Sequence, residues 1–138
     1  MNNFFQNMFS RLRNQRHKRR YAVSWDALLD VCFPDFQDCM EVRLTDFSEA
    51  GACLLSERVY LDRHHLIASD PVPRLGLKIF SPEGIFYSGI IIRWYRWSVE
   101  ETLFEIGVEF RPFLEENALL VDKLINELQR HQKYASPP

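Results

Sequence analysis

From Tyr21 onward the chain alternates. Tyr21, Val23, Trp25, Ala27, Leu29 and Val31 take every second position, with Ala22, Ser24, Asp26, Leu28, Asp30 and Cys32 between them. A period of two predicts a long strand with one buried face. Pro34-Asp35 predicts a turn. A second strand reads through Met40, Val42 and Leu44, and the turn-rich stretch from Asp46 to Gly51 separates it from renewed strand character at Ala52 to Leu55. Residues 56–73 show no regular period, and Pro71 and Pro73 mark their end. Strand character returns at Leu75, Leu77 and Ile79. Ser81-Pro82-Glu83-Gly84 predicts a hairpin turn, because proline presets the second position and glycine can take a positive φ. A long strand follows from about Ile85 to Trp97, then a polar turn around Glu100. Phe104, Ile106, Val108 and Phe110 alternate again until Pro112 ends the ladder.

The two ends of the chain read differently. Leu114, Ala118, Val121, Leu124 or Ile125, and Leu128 recur at helical spacing, which predicts an amphipathic helix over about residues 113–133. Glu115 and Glu116 near its start, and Arg130, His131 and Lys133 near its end, suit the helix dipole. At the other end, Phe5, Met8, Phe9 and Leu12, with Phe4 beside them, give residues 1–12 a short amphipathic segment. So short a helix is marginal without a surface to lie on. Residues 13–20 form a polar, basic arm. About six strands followed by one amphipathic helix predict a mainly β fold: an antiparallel barrel with a C-terminal helix packed against it, spanning residues 21–138.

Composition narrows the classes. A chain of 138 residues suffices for one compact domain, and its 46% hydrophobic content permits a packed core. No apolar run approaches the roughly 18 residues of a membrane helix. The N-terminus lacks the continuous apolar region of a secretory signal, so a cytoplasmic location is expected. Cys32, Cys39 and Cys53 match no zinc spacing and read as reduced thiols, with Cys53 in the core. The net charge of −2 divides into +6 over residues 1–20 and −8 over the remainder. A positive arm on an acidic body points to an anionic partner for the arm.

Two short patterns carry candidate chemistry. Arg16-His17-Lys18-Arg19-Arg20 contains R-x-x-x-R immediately before the first strand. Asp46-Phe47-Ser48-Glu49-Ala50-Gly51 is D-x-S-x-x-G between two strand segments. Alone, the first is an ordinary solvated tether and the second an ordinary Asx-type turn. Together, in this order and these places, they resemble the motif pair of the PilZ domain family. The strand Phe104-Glu105-Ile106-Gly107-Val108-Glu109-Phe110 is also similar to that family's final strand. The resemblance runs from about Arg16 to the end of the helix and does not cover residues 1–12.

The resemblance implies a six-stranded PilZ-like barrel and a ligand, cyclic di-GMP, in place of any cofactor. It carries binding roles onto Arg16, Arg20, Asp46 and Ser48, with Gly51 shaping the turn. Physical chemistry supports these types. The ligand is a dianion with two guanines. A guanidinium fork can hold a phosphate through parallel charge-assisted bonds, or address guanine O6 and N7. Aspartate can accept from the paired donors on the guanine edge. The basic arm is expected to fold onto the barrel around the ligand and so pass a signal to a protein partner.

Other readings are weaker. A nucleotide-independent adaptor acting by protein contact alone is the main alternative, and two intact motifs argue against it. A DNA- or RNA-binding barrel conflicts with the acidic body and a pI near 6.1. No Ser-His-Asp, Cys-His or paired-carboxylate arrangement is legible, nor a Gly-rich phosphate loop, so an enzyme is not expected. Arg93-Trp94-Tyr95-Arg96-Trp97 interleaves arginines with aromatics and could stack bases, but reads first as a barrel strand with Trp94 inside and Tyr95 outside. His64-His65 reads as a loop pair, since strand neighbours point to opposite faces and cannot share a metal ion.

Overall fold

The computed structural model describes residues 19–135, with side chains as far as Gln132. The amphipathic segment at residues 1–12 and most of the basic arm, including Arg16, lie outside the described residues.

The elements in chain order are β1 (Tyr21–Cys32), β2 (Gln37–Phe47), β3 (Gly51–Ser56), β4 (Tyr60–Leu61), β5 (His64–His65), β6 (Arg74–Ser81), β7 (Gly84–Ser98), β8 (Leu103–Phe110) and α1 (Glu115–Ala135). Six strands close into an antiparallel barrel in the order β1-β2-β3-β8-β7-β6. Closure removes the unpaired edge that an open sheet would present. The predicted alternation fills the interior: Ala27, Leu29 and Val31 from β1 meet Met40, Val42 and Leu44 from β2, Leu77 and Ile79 from β6, and Ile106 and Val108 from β8. Phe47 is fully buried, its ring centroid 5.1 Å from Trp25, 5.7 Å from Phe110 and 6.2 Å from Phe86.

The β6–β7 hairpin forms where Ser81-Pro82-Glu83-Gly84 predicts it. Gly84 has φ +146°, a conformation that favours a residue without a Cβ. The segment 56–73, which shows no period, contains the small β4–β5 hairpin and sends Val59, Leu61 and Leu66 into the core. The two histidines there are used separately. His64 stacks on Phe36 at 5.2 Å, whereas His65 Nδ1 accepts from the backbone N–H groups of Ile67 and Ala68.

Helix α1 buries Val121, Leu124 and Ile125 against the barrel. Full burial of such side chains is worth roughly 1.5–3 kcal/mol each. Asn117 Nδ2 donates to the Tyr87 carbonyl at 2.6 Å, and Lys123 pairs with Glu83 at 3.3 Å, fixing the helix beside the β6–β7 hairpin. The predicted helix begins too early and places Leu114 on its buried stripe. Leu114 instead precedes the helix and is 77% exposed, its carbonyl accepting the Ala118 N–H. Pro112 interrupts the chain here, and Phe113 takes the packing position, 5.3 Å from Phe110. No helix among the described residues is long and apolar enough to cross a membrane.

Candidate functional site

The strands slip register near the D-x-S-x-x-G turn, and the slips decide which side chains face outward. Along β2 the core positions are Met40, Val42 and Leu44, then Phe47, a step of three where two is regular. The extra residue lies between Leu44 and Asp46 in the pairing with β3. Without it Asp46 would fall on the inner face; with it Asp46 turns outward while Phe47 fills the core. Bulges commonly re-aim side chains in this way near functional sites.

On the outer face Asp46 pairs across to Cys53, Cys53 to Gly107, and Gly107 to Trp94. Asp46 Oδ1 accepts the Cys53 N–H at 3.0 Å and Arg20 Nη1 at 2.9 Å. The backbone bond fixes the carboxylate, and the carboxylate holds Arg20. That ion pair is weak in energy: the Arg20 side chain is 50% exposed, and exposed pairs contribute about 0–1 kcal/mol. Arg20 can therefore exchange one anion for another at small cost. Cys53 is buried among the core residues as predicted, and its strand pairing sets it beside Asp46. Burial pushes its thiol pKa up, with the Asp46 charge adding to the effect.

Ser48 and Gly51 shape the turn. Ser48 is 1% exposed, and its Oγ accepts from the N–H groups of Ala50 and Gly51 at 3.1 and 3.2 Å. The Ser48 N–H donates to the Gly51 carbonyl at 2.9 Å. Ser48→Ala leaves two backbone donors short of a partner and is expected to cost about 1–3 kcal/mol. A denaturation midpoint reads this, and an unchanged midpoint would show that the hydroxyl does not hold the turn. Gly51 is needed for close approach: a Cβ there would lie 2.1 Å from the Val108 carbonyl oxygen. The obstruction comes from β8 across the ladder rather than from the turn.

The aromatic stretch on β7 departs from its sequence expectation at Trp94, which is expected inside; Tyr95 is exposed as expected. An extra residue between Ile92 and Trp94 shifts the register against β8. Trp94 consequently sits outside, pairing with Gly107, while Tyr95 pairs with Ile106 and contacts His65 and Phe104. Uninterrupted alternation from Phe86 would have placed Trp94 inside; Tyr95 is equally exposed, at 42%. Trp94 remains 42% exposed and lies flat over Gly107, where a Cβ would meet its ring at 2.2 Å. Arg96 stands over Trp94 at 5.4 Å and bonds Glu105, and Arg93 bonds Glu109. An aromatic plate flanked by two carboxylate-held guanidinium groups thus adjoins the Arg20–Asp46 pair. Arg20, Ser48, Gly51, Arg93, Trp94 and Gly107 line a pit of about 130 Å³. Drug-sized ligands usually occupy roughly 300–1,000 Å³. The pit fits one phosphate or one base edge, with the remainder of a larger ligand on the open face. A larger groove of about 1090 Å³ lies elsewhere, lined by Asp30, Cys32, Arg74, Gly76, Tyr87 and Arg111 among others, and no motif residue lines it.

Among the sequence-predicted site residues, the structure brings together Arg20, Asp46, Ser48 and Gly51; Arg16 lies outside the described residues. Arg93 and Trp94 join them. Their signal in sequence is the Arg-Trp interleaving, with Trp94 expected inside the barrel and found outside it.

No family model and no curated protein sequence matches the chain. Solved structures do match it. The K. pneumonia MrkH complex with c-di-GMP superposes with TM-score 0.67 at 13% identity, over 88% of this chain and 55% of that one. The PilZ domain of YcgR from Escherichia coli, with c-di-GMP, gives TM-score 0.58 at 14% identity over 88% of this chain and 96% of that domain. The longer Escherichia coli YcgR complex gives 0.61 at 14% identity, with 49% of its length covered. The chain folds as a PilZ-like domain. It spans about half the length of MrkH and YcgR and nearly the whole of the isolated YcgR domain.

Proposed function

We propose that this chain is a cyclic di-GMP receptor: a cytoplasmic binding module rather than an enzyme, which signals to a protein partner. One observation carries the reading. Arg20 and Asp46, from the two motifs that resemble those of PilZ domains, meet at 2.9 Å on an outer face that also holds an exposed tryptophan. The structural neighbours determined with c-di-GMP support the same ligand class.

In this reading Arg16 and Arg20 take phosphate and guanine edges, Asp46 accepts from a guanine, Trp94 offers a stacking plane, and Ser48 and Gly51 hold the turn. Arg20 leaves the Asp46 carboxylate for the ligand, which frees Oδ1 for a guanine donor. The arm preceding Arg20 folds over the ligand and changes the surface shown to the partner. Each charge-assisted bond contributes roughly 1.5–3 kcal/mol net. Four or five of them reach the roughly 8 kcal/mol of a micromolar site after ordering costs. Isothermal titration is expected to give micromolar or tighter binding of cyclic di-GMP, with GTP and a short RNA as inert controls. Absence of heat up to about a hundred micromolar would contradict the reading.

A further inference from the structure

Arg93 occupies the register slip of β7, between Ile92 and Trp94. Its Nε and Nη2 both donate to one oxygen of Glu109, so the carboxylate takes a single edge of the guanidinium. The other end, Nη1 with the remaining N–H of Nη2, has no partner among the described residues. Arg93 lines the pit beside Arg20, Ser48, Gly51 and Trp94. Its side chain is 45% exposed and that of Glu109 only 13%, so the acid is a shielded support and the arginine the accessible group.

The pairing fixes what Arg93 can recognise. A guanidinium touching a carboxylate presents two parallel donors but little net positive charge. Glu109 opposes a close dianion, so a phosphate gains less here than at Arg20. A neutral edge with two acceptors meets no such penalty. Guanine offers O6 and N7 in that arrangement, whereas adenine replaces O6 with a donating amino group.

We propose that Arg93, oriented by Glu109, is a guanine-selecting residue of this site, reading O6 and N7 of one base of the dinucleotide. The assignment rests on the cyclic di-GMP reading and deepens it. Arg93→Lys keeps the charge and removes the fork, and Arg93→Gln removes both. Each is expected to lower cyclic di-GMP affinity by about tenfold or more. Each should lower the preference for cyclic di-GMP over cyclic di-AMP by a similar factor, with Arg93→Lys the less destabilising of the two because it keeps a cation beside the shielded Glu109. Glu109→Gln, which frees Arg93 as a plain cation, should reduce that preference too and steepen the salt dependence.

Isothermal titrations of both dinucleotides against wild type and the three variants decide the matter. Wild-type preference retained in Arg93→Lys, or equal losses for both ligands, would overturn the assignment. Retained preference in Glu109→Gln would overturn the orienting role of the acid. Wild type binding neither dinucleotide would instead defeat the receptor reading itself, and the role of Arg93 with it.

Discussion

Arg20→Ala is expected to weaken cyclic di-GMP binding by about a hundredfold while barely changing thermal stability. The two halves of that result have separate causes. In the folded protein Arg20 makes a half-exposed ion pair with Asp46, a contact worth about 0–1 kcal/mol. Toward a dianionic dinucleotide the same fork makes two charge-assisted bonds, each roughly 1.5–3 kcal/mol. Their loss removes about 3 kcal/mol or more, and each 1.4 kcal/mol is about a factor of ten. Arg16→Ala should behave similarly, whereas Arg11→Ala should lose little, because Arg11 lies outside the R-x-x-x-R pattern. Titrations at low and high salt read the difference. Equal losses in all three variants, vanishing at high salt, would indicate diffuse attraction to the basic arm and no defined site.

Phe47→Ala should give the reverse pattern, a large loss of stability with binding lost as a consequence. Its ring is fully buried and contacts aromatic side chains from β1, β7 and β8. Removing such a side chain typically costs about 3–5 kcal/mol through lost burial and the cavity left behind. In a domain of this size the melting temperature would fall on the order of ten degrees. Phe47 also lies between Asp46 and Ser48, so a collapsing cavity should disturb both the carboxylate and the turn. A melting temperature within a few degrees of wild type would show that Phe47 does not anchor the site to the core.

Much of the barrel was legible because inward and outward positions alternate along each strand. Tyr21 to Cys32 and Phe104 to Phe110 are regular enough to place directly, and the proline-glycine turn joins β6 to β7 where expected. Legibility failed where the period breaks. The segment 56–73 contributes Val59, Leu61 and Leu66 to the core at spacings that fit neither strand nor helix. On β7 a single extra residue turned Trp94 outward, leaving it as exposed as Tyr95, so a side chain expected inside joins the candidate site. The comparable break on β2 falls where the sequence reads as the start of a turn; the strand instead continues to Phe47, and the extra residue between Leu44 and Asp46 is the feature that turns Asp46 outward. Cys53 shows the same limit: its burial was predicted correctly, but its face is set by pairing with Asp46 and Gly107. The helix was found by its period and misplaced only at its start, where Phe113 and not Leu114 packs inward.

In the proposed reading, the outer face carrying Asp46 and Trp94 binds cyclic di-GMP. Amide and indole NMR shifts followed during a cyclic di-GMP titration of the full chain test it most directly. The largest changes are expected at the Gly51, Cys53 and Gly107 amides and at the Trp94 indole N–H. The Cys53 amide should respond strongly, since it donates to the carboxylate that would receive the base. The Gly76 and Tyr87 amides, at the larger groove, should stay in place. Changes confined to that groove, or no changes at saturating ligand, would show that this face is not the binding site.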